Sequence, residues 1–396
     1  MRRQASPIDP AVEAVLQTLR LGAEVDAAGL ARRWAAVDPA GLAALVEYEG
    51  CVLWLYQRLQ ELHILGAAPT EFVEWLSARA HRLMAYNLVV DAQRDQLVRL
   101  LNEFRVPHVL LKGAARRLMA DVHAYGSART TTDVDVLVPH EFAGPTWARL
   151  QSAGFVSTPG PGFTCEGHFH LPPLRNGGGV AVELHTSTST FVPAPVAWER
   201  MRGSARVAQC QGGPTQVPSA TELLWHGITH APLPHAGAFR IRYFQDAAVN
   251  WAARAEIDWD QISTRLASLE LPDPILARRW LGTAWNLVQP DRSNRPIGTA
   301  SALHLGRALT WRLTVFRRFG EARSDAAPQV WGPRLVSRGR RLLIDEATRA
   351  ELGLPLIPQP RTAFAPRAGR RLAAAAAGVC YRGWCTLRRA QTPMEE

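Results

Sequence analysis

The hydrophobic period of this chain changes twice, near residue 106 and near residue 219, and the three stretches so defined must fold differently. From Pro10 to about Asn102 apolar residues recur at i, i+3, i+4 and i+7, as in "GLAALVEYEGCVLWLYQRLQEL" and "FVEWLSARAHRLMAYNLVVDAQRDQLVRLLNEF". That spacing predicts four or five helices, with Asp38 and Thr70 as N-caps. At 106 the pattern becomes short and β-favouring. "VPHVLL" reads as a strand, "KG" as a turn, "AARRLMADV" as a helix and "TDVDVLVP" as a second strand closed by proline. "GPTWARLQSAGF" reads as a helix stopped by Gly154, and "HFHLPPL" and "VAVELHT" as a hairpin about the turn "RNGGG". Ser219 and Glu222 then open a helical region as a capping box, and helices are expected to about residue 289.

The expected organisation is a helical domain over 1–103, an α/β core over 104–217, a second helical domain over 218–300, and an Arg-rich, mostly helical extension over 301–396. No window holds 18 uncharged apolar residues; the best, "LAAAAAGVCY" at 372–381, is too short to span a membrane. Asp9 and Glu13 interrupt any signal-peptide core, and the five cysteines form no CxxC pair. Both features predict a cytoplasmic protein without a cysteine metal site. The net charge of +10 is localised, because residues 301–396 carry 17 Arg against 7 Asp and Glu. This region could dock an anionic partner through a salt-sensitive contact, or simply be a solvated helical face.

Of the 45 basic residues, 44 are arginine and one is Lys112, at the "LLKG" bend. In a composition so biased toward arginine, a lone lysine marks a position where arginine does not serve. Gly113 follows it, and a glycine at a strand-to-helix bend lets backbone N–H groups approach phosphate oxygens. Asp133 and Asp135, at i and i+2 on a strand, project from one face. Two adjacent carboxylates repel unless a cation neutralises them, and Mg²⁺ or Mn²⁺ suits an all-oxygen set. Glu183, 48 residues beyond Asp135, sits on another expected strand as a third acid, able to bind metal or accept a proton.

Strand, glycine bend, helix, D-x-D strand and later acidic strand together resemble the nucleotidyltransferase fold of the DNA-polymerase-β-like superfamily. Within it, "LLKGAA", "RTTTDVDVLV", "HFHLPPLRNGGGVAVELH" and "ELLWHGITHA…RIRYFQDAAVNW" resemble a bacterial family of uncharacterised nucleotidyltransferases, over about residues 104–255. The resemblance implies an α+β fold with a mixed β-sheet core between helical segments. It implies transfer of a nucleoside monophosphate from an NTP to an acceptor (small molecule, peptide, protein or RNA), with release of pyrophosphate. Asp133, Asp135 and Glu183 would hold the metal ions, and Lys112, Gly113, Arg129 and His185 would contact the nucleotide. Many superfamily members carry Gly-Ser or Gly-Gly at the bend, whereas Ala114 follows Gly113 here. Lys112 would then supply as an ammonium what that hydroxyl supplies elsewhere. Arg129 is expected to reach a phosphate or buttress its loop. His168 and His170 are expected to line the acceptor side, His226 and His230 to lie near the site without binding zinc, and Asp246 to tie helices together. Rival readings are a toxin-like enzyme acting on RNA, an inactive binding module on the same fold, and a peripheral membrane protein.

Overall fold

The computed structural model describes residues 8–21, 25–119, 128–158, 169–177, 179–189, 192–230, 241–252, 254–267, 277–278, 280–284 and 302–320. Five helices open the chain: α1 (Pro10–Thr18), α2 (Ala27–Ala35), α3 (Leu42–Glu49), α4 (Val52–Glu61) and the 34-residue α5 (Thr70–Glu103). The start of α1 follows from its sequence: Asp9 accepts from the backbone N–H of Ala11, and Pro10 takes a position where a missing N–H costs nothing. Gly50, at φ +68°, divides the apolar run 41–62 into α3 and α4. Two expected caps are corrected. Asp38 bonds Ala40 N in the turn before α3, whose cap is Gly41. Thr70 is the first helical residue of α5, after Pro69, and makes no capping bond.

Next come β1 (Val109–Leu110), α6 (Lys112–Leu118), β2 (Asp133–Leu137), α7 (His140–Ser152), β3 (Val156–Ser157), β4 (Leu174–Arg175) and β5 (Ala181–His185). The strands form one mixed sheet in the order β1-β2-β5-β4-β3. β2 pairs antiparallel with β1 and parallel with β5, so the strand bearing both aspartates is interior, with hydrogen bonds on both edges. α7 begins four residues before its expected start, runs through Pro145 and ends ahead of Gly154 at φ +92°. The expected hairpin is present: Leu174 and Arg175 pair antiparallel with β5, and a bridge joins His170 to His185.

After α8 (Ala194–Gly203), β6 (Arg206–Cys210) and β7 (Gly213–Val217) form a separate antiparallel hairpin that the sequence reading passed over. It leans on α5, where Asn102 donates to the carbonyls of Gly212 and Pro214. Then follow α9 (Ala220–His230), α10 (Ile241–Ala252), α11 (Trp259–Ala267) and α12 (Ala302–Gly320). Ser219 caps α9 through Glu222 N, but the Glu222 carboxylate turns to Arg265 instead of closing the capping box. The C-terminal half of α5 is not separate from the sheet. Val90, Leu97, Val98 and Leu101 share one core with Val134, Val136, Val182 and Leu184. Among the described residues no helix is long and apolar enough to cross a membrane.

Of the Arg-rich region only α12 is described. Arg312 is buried against Glu49 of α3, and Arg317 pairs with Asp9 and Asp38, so these two cations are already engaged. The part of the expected anionic docking surface from residue 321 on lies outside the described residues.

Candidate active site

The parallel register of β2 with β5 sets Asp133 opposite Ala181, Asp135 opposite Glu183 and Leu137 opposite His185. Two acids far apart in sequence thus become lateral neighbours. His185 lies on the same face as Glu183, because side chains two apart on a strand point the same way. Asp135 is fully buried, and its Oδ1 accepts from Lys112 Nζ at 2.8 Å and from His185 Nε2 at 2.8 Å. The same His185 nitrogen is 3.5 Å from Glu183 Oε2. Asp135 Oδ2 and His185 Nδ1 are buried and have no hydrogen-bond partner among the described residues.

Lys112 is placed by strain. Its backbone lies in the left-handed region, at φ +46°, where a side chain is disfavoured by about 1–2 kcal/mol. The bend is therefore made at the lysine, not at the glycine beside it. Gly113 is required for another reason. A Cβ there would fall 2.4 Å from Thr131 Oγ1 and 2.6 Å from an Arg129 nitrogen, so the segment entering β2 packs directly on the start of α6. That direction from Gly113 is filled by protein.

The charges compensate unevenly. Burial disfavours the Asp135 carboxylate, yet Lys112 and His185 hold its pKa well below the usual range. Burial acts against the Lys112 ammonium too, but Asp135, Asp133 and Glu183 outweigh it and raise its pKa. Glu183 is lowered, its burial being overcome by the hydrogen bond from His185 and the nearby cations. Burial and the Lys112 charge act against the imidazolium of His185, but its two carboxylate partners raise its pKa. Asp133 is the exception. Burial and the Asp135 charge prevail over Lys112, and its pKa is raised to about 6.

Asp135, Glu183 and His185 each offer a ligand atom, all within 4.8 Å of one another. This is the one such group of three or more among the described residues. It differs from the expected set in holding His185 and leaving out Asp133, which remains on the same strand face within electrostatic reach. Its fit to a divalent cation is supported by the unpartnered, buried Asp135 Oδ2 and by a donor set of two carboxylates and an imidazole.

The Arg129 guanidinium is held by protein. Its Nε bonds Asp246 Oδ1 at 2.5 Å, and Asp246 also faces Arg116 at 3.4 Å. This ion pair buttresses the loop, one of the two roles expected of Arg129, and Asp246 ties α10 to α6 and to the segment before β2. The His170 ring lies tilted against that of His185, with centroids 5.2 Å apart, and Phe169 lies 5.4 Å from His185. His168 lies outside the described residues. His226 and His230 are ring neighbours at 5.6 Å, and neither belongs to the ligand group. His226 is buried with neither ring nitrogen bonded among the described residues, and burial pushes its pKa well down. The sequence pointed to Asp135 and Glu183 as metal-holding acids and to His185 as a nucleotide contact, but not to the wedge of Thr131 against Gly113. A hydroxyl residue two before the D-x-D pair carries no periodic signal.

A family model described as an uncharacterised nucleotidyltransferase matches residues 35–285, from the end of α2 through the sheet and past α11. No curated protein matches the chain.

Proposed function

The chain belongs to the uncharacterised nucleotidyltransferase family, and from that membership we propose that it transfers a nucleoside monophosphate from an NTP to an acceptor hydroxyl at the Asp135 site, in a divalent-metal-dependent reaction. An acceptor oxygen bonds to the α-phosphorus. The bond from that phosphorus to the β-phosphate oxygen breaks, and pyrophosphate leaves with the electron pair. A divalent cation such as Mg²⁺ or Mn²⁺, when bound, neutralises phosphate charge and favours in-line displacement.

Asp135, Glu183 and His185 would hold that cation, with Asp133 as a further carboxylate on the same face. The observation that carries the reading is Asp135 Oδ2, a buried carboxylate oxygen with no partner among the described residues, inside a cluster of possible ligand atoms. Lys112 holds Asp135 ionised and presents a compact ammonium where phosphate charge would develop. Its left-handed backbone fixes the direction of the side chain, and a planar guanidinium would not reproduce that single short contact. Asp133, on the same strand face as Asp135 and next to Thr132, is placed to take the acceptor proton.

The test is incubation of purified protein with each α-³²P-NTP and Mg²⁺ or Mn²⁺ in cell lysate. Transfer of label to a discrete product is expected, and Asp135→Asn should reduce it by at least about 10³-fold with the thermal melt intact. Labelling that persists at the wild-type rate in Asp135→Asn would sink the reading.

A further inference from the structure

The carboxylates account for the nucleotide side of this chemistry and leave the acceptor side open. A cleft of about 460 Å³ lies between α5, residues 129–132 and α10. Four arginines line it: Arg79, Arg82, Arg129 and Arg242, together with Tyr86 and Thr132. None of Lys112, Asp133, Asp135, Glu183 or His185 does. The two places adjoin: Thr132 precedes Asp133 in the chain, and the Arg129 charge reaches Asp133 and Asp135.

The lining is strongly cationic. Its one acid is Glu47, which Arg79 engages through two bonds of 2.7 and 2.6 Å. Arg129 is held by Asp246. Arg82 is exposed and pairs with no acid among the described residues. Guanidinium forks match the oxygens of a carboxylate or a phosphate, and a cluster of them suits the higher charge and greater number of oxygens of a phosphate. The cleft volume falls within the range of small-molecule sites, about 300–1,000 Å³.

We propose that this cleft holds the phosphate of the acceptor, so that the acceptor is a small phosphorylated molecule whose hydroxyl is directed toward Asp133. The assignment rests on the nucleotidyl-transfer reading above. The acceptor phosphate takes no part in bond making; the hydroxyl oxygen bonds to the α-phosphorus, its proton passes to Asp133, and pyrophosphate departs.

The experiment is calorimetric titration of the full chain in two arms. In EDTA the acid site holds three carboxylates against Lys112 and His185, both already engaged by Asp135, so inorganic pyrophosphate reports on the cleft. It should bind once per chain, Arg82→Glu should weaken it at least about tenfold, and Asp135→Asn should leave it within about twofold. Arg82→Lys, which keeps the charge, should retain most of the affinity and shows that loss in Arg82→Glu is not misfolding. In Mg²⁺ the non-hydrolysable α,β-methylene ATP reports on the acid site. Asp135→Asn should abolish its binding and Arg82→Glu should change it less than about threefold. Pyrophosphate that fails to bind in EDTA, or binds Arg82→Glu as well as wild type, overturns the proposal. An Arg82→Glu protein that loses the ATP analogue together with pyrophosphate also overturns it, because the cleft would then hold the nucleotide's own phosphates. If pyrophosphate behaves as expected while Asp135→Asn binds the analogue normally, the transfer reading fails and the phosphate cleft stands.

Discussion

Asp133 sits two residues from Asp135 on β2, and burial beside that second carboxylate raises its pKa to about 6 from an ordinary value near 4. Below about pH 4 the group is protonated in both folded and unfolded chains and costs nothing. As pH rises through 6 the folded chain must carry a carboxylate that its surroundings disfavour, and stability falls. Asp133→Asn should therefore raise the Tm of metal-free protein by roughly 2–4 °C at pH 7.5 and leave it unchanged near pH 4. Melts in EDTA across that range check the sign, and the gain should vanish in saturating Mn²⁺, where wild type regains a counter-charge. Equal melts at pH 7.5 would mean that Asp133 is not under electrostatic strain. Lys112 was legible at this scale by its rarity alone. Its left-handed backbone was not, since nothing in the order L-L-K-G assigns the bend to the lysine over the glycine.

At the scale of elements the site depends on how closely β2 and α6 approach. Thr131 and Arg129 fill the space that a Cβ at Gly113 would need. Gly113→Ala should thus cost about 1–3 kcal/mol, the usual range for overpacking, as measured by urea unfolding. Adding Thr131→Ala, which removes the atoms at 2.4 and 2.7 Å, should recover part of that loss. Additive effects in the double mutant would show that the contact does not set the requirement for glycine. The strands of this region were readable because each is short, β-branched and bounded by turn residues. The β6–β7 hairpin carried comparable cues, with "QGG" between "RVAQC" and "PTQV". Its strands are half exposed and lack a clean apolar alternation, so the period gave no warning.

For the molecule as a whole, α12 joins helices that begin the chain to residues some 300 positions later. Glu49 is fully buried, takes Arg312 on one oxygen and accepts the Ile241 N–H at 2.9 Å on the other. A chain ending at residue 300 would leave that carboxylate buried without its cation, which costs about 3–5 kcal/mol. A 1–300 protein should accordingly unfold at lower denaturant than a 1–320 protein by that margin. Equal midpoints would mean that α12 contributes no more than coverage. The charge asymmetry toward the C-terminus was legible in the composition. Its use in α12 was not, because an arginine's spacing does not reveal whether its partner is an internal glutamate or an external polyanion.

Local order along the chain determined the helical opening, the change to short strands at residue 106, the D-x-D pair on one strand face and the singular lysine. These are properties of periods and neighbours, and they survive without knowledge of any long-range contact. Only the tertiary structure decided that β2 lies beside β5 in parallel register, which makes Asp135 and Glu183 neighbours and brings His185 into their group. It alone decided that Arg129 faces Asp246, and that four arginines from distant segments line one cleft. The physical reason is that pairing register and packing minimise the energy of the whole fold, and a one-residue slip of β5 against β2 would turn Glu183 and His185 to the opposite face.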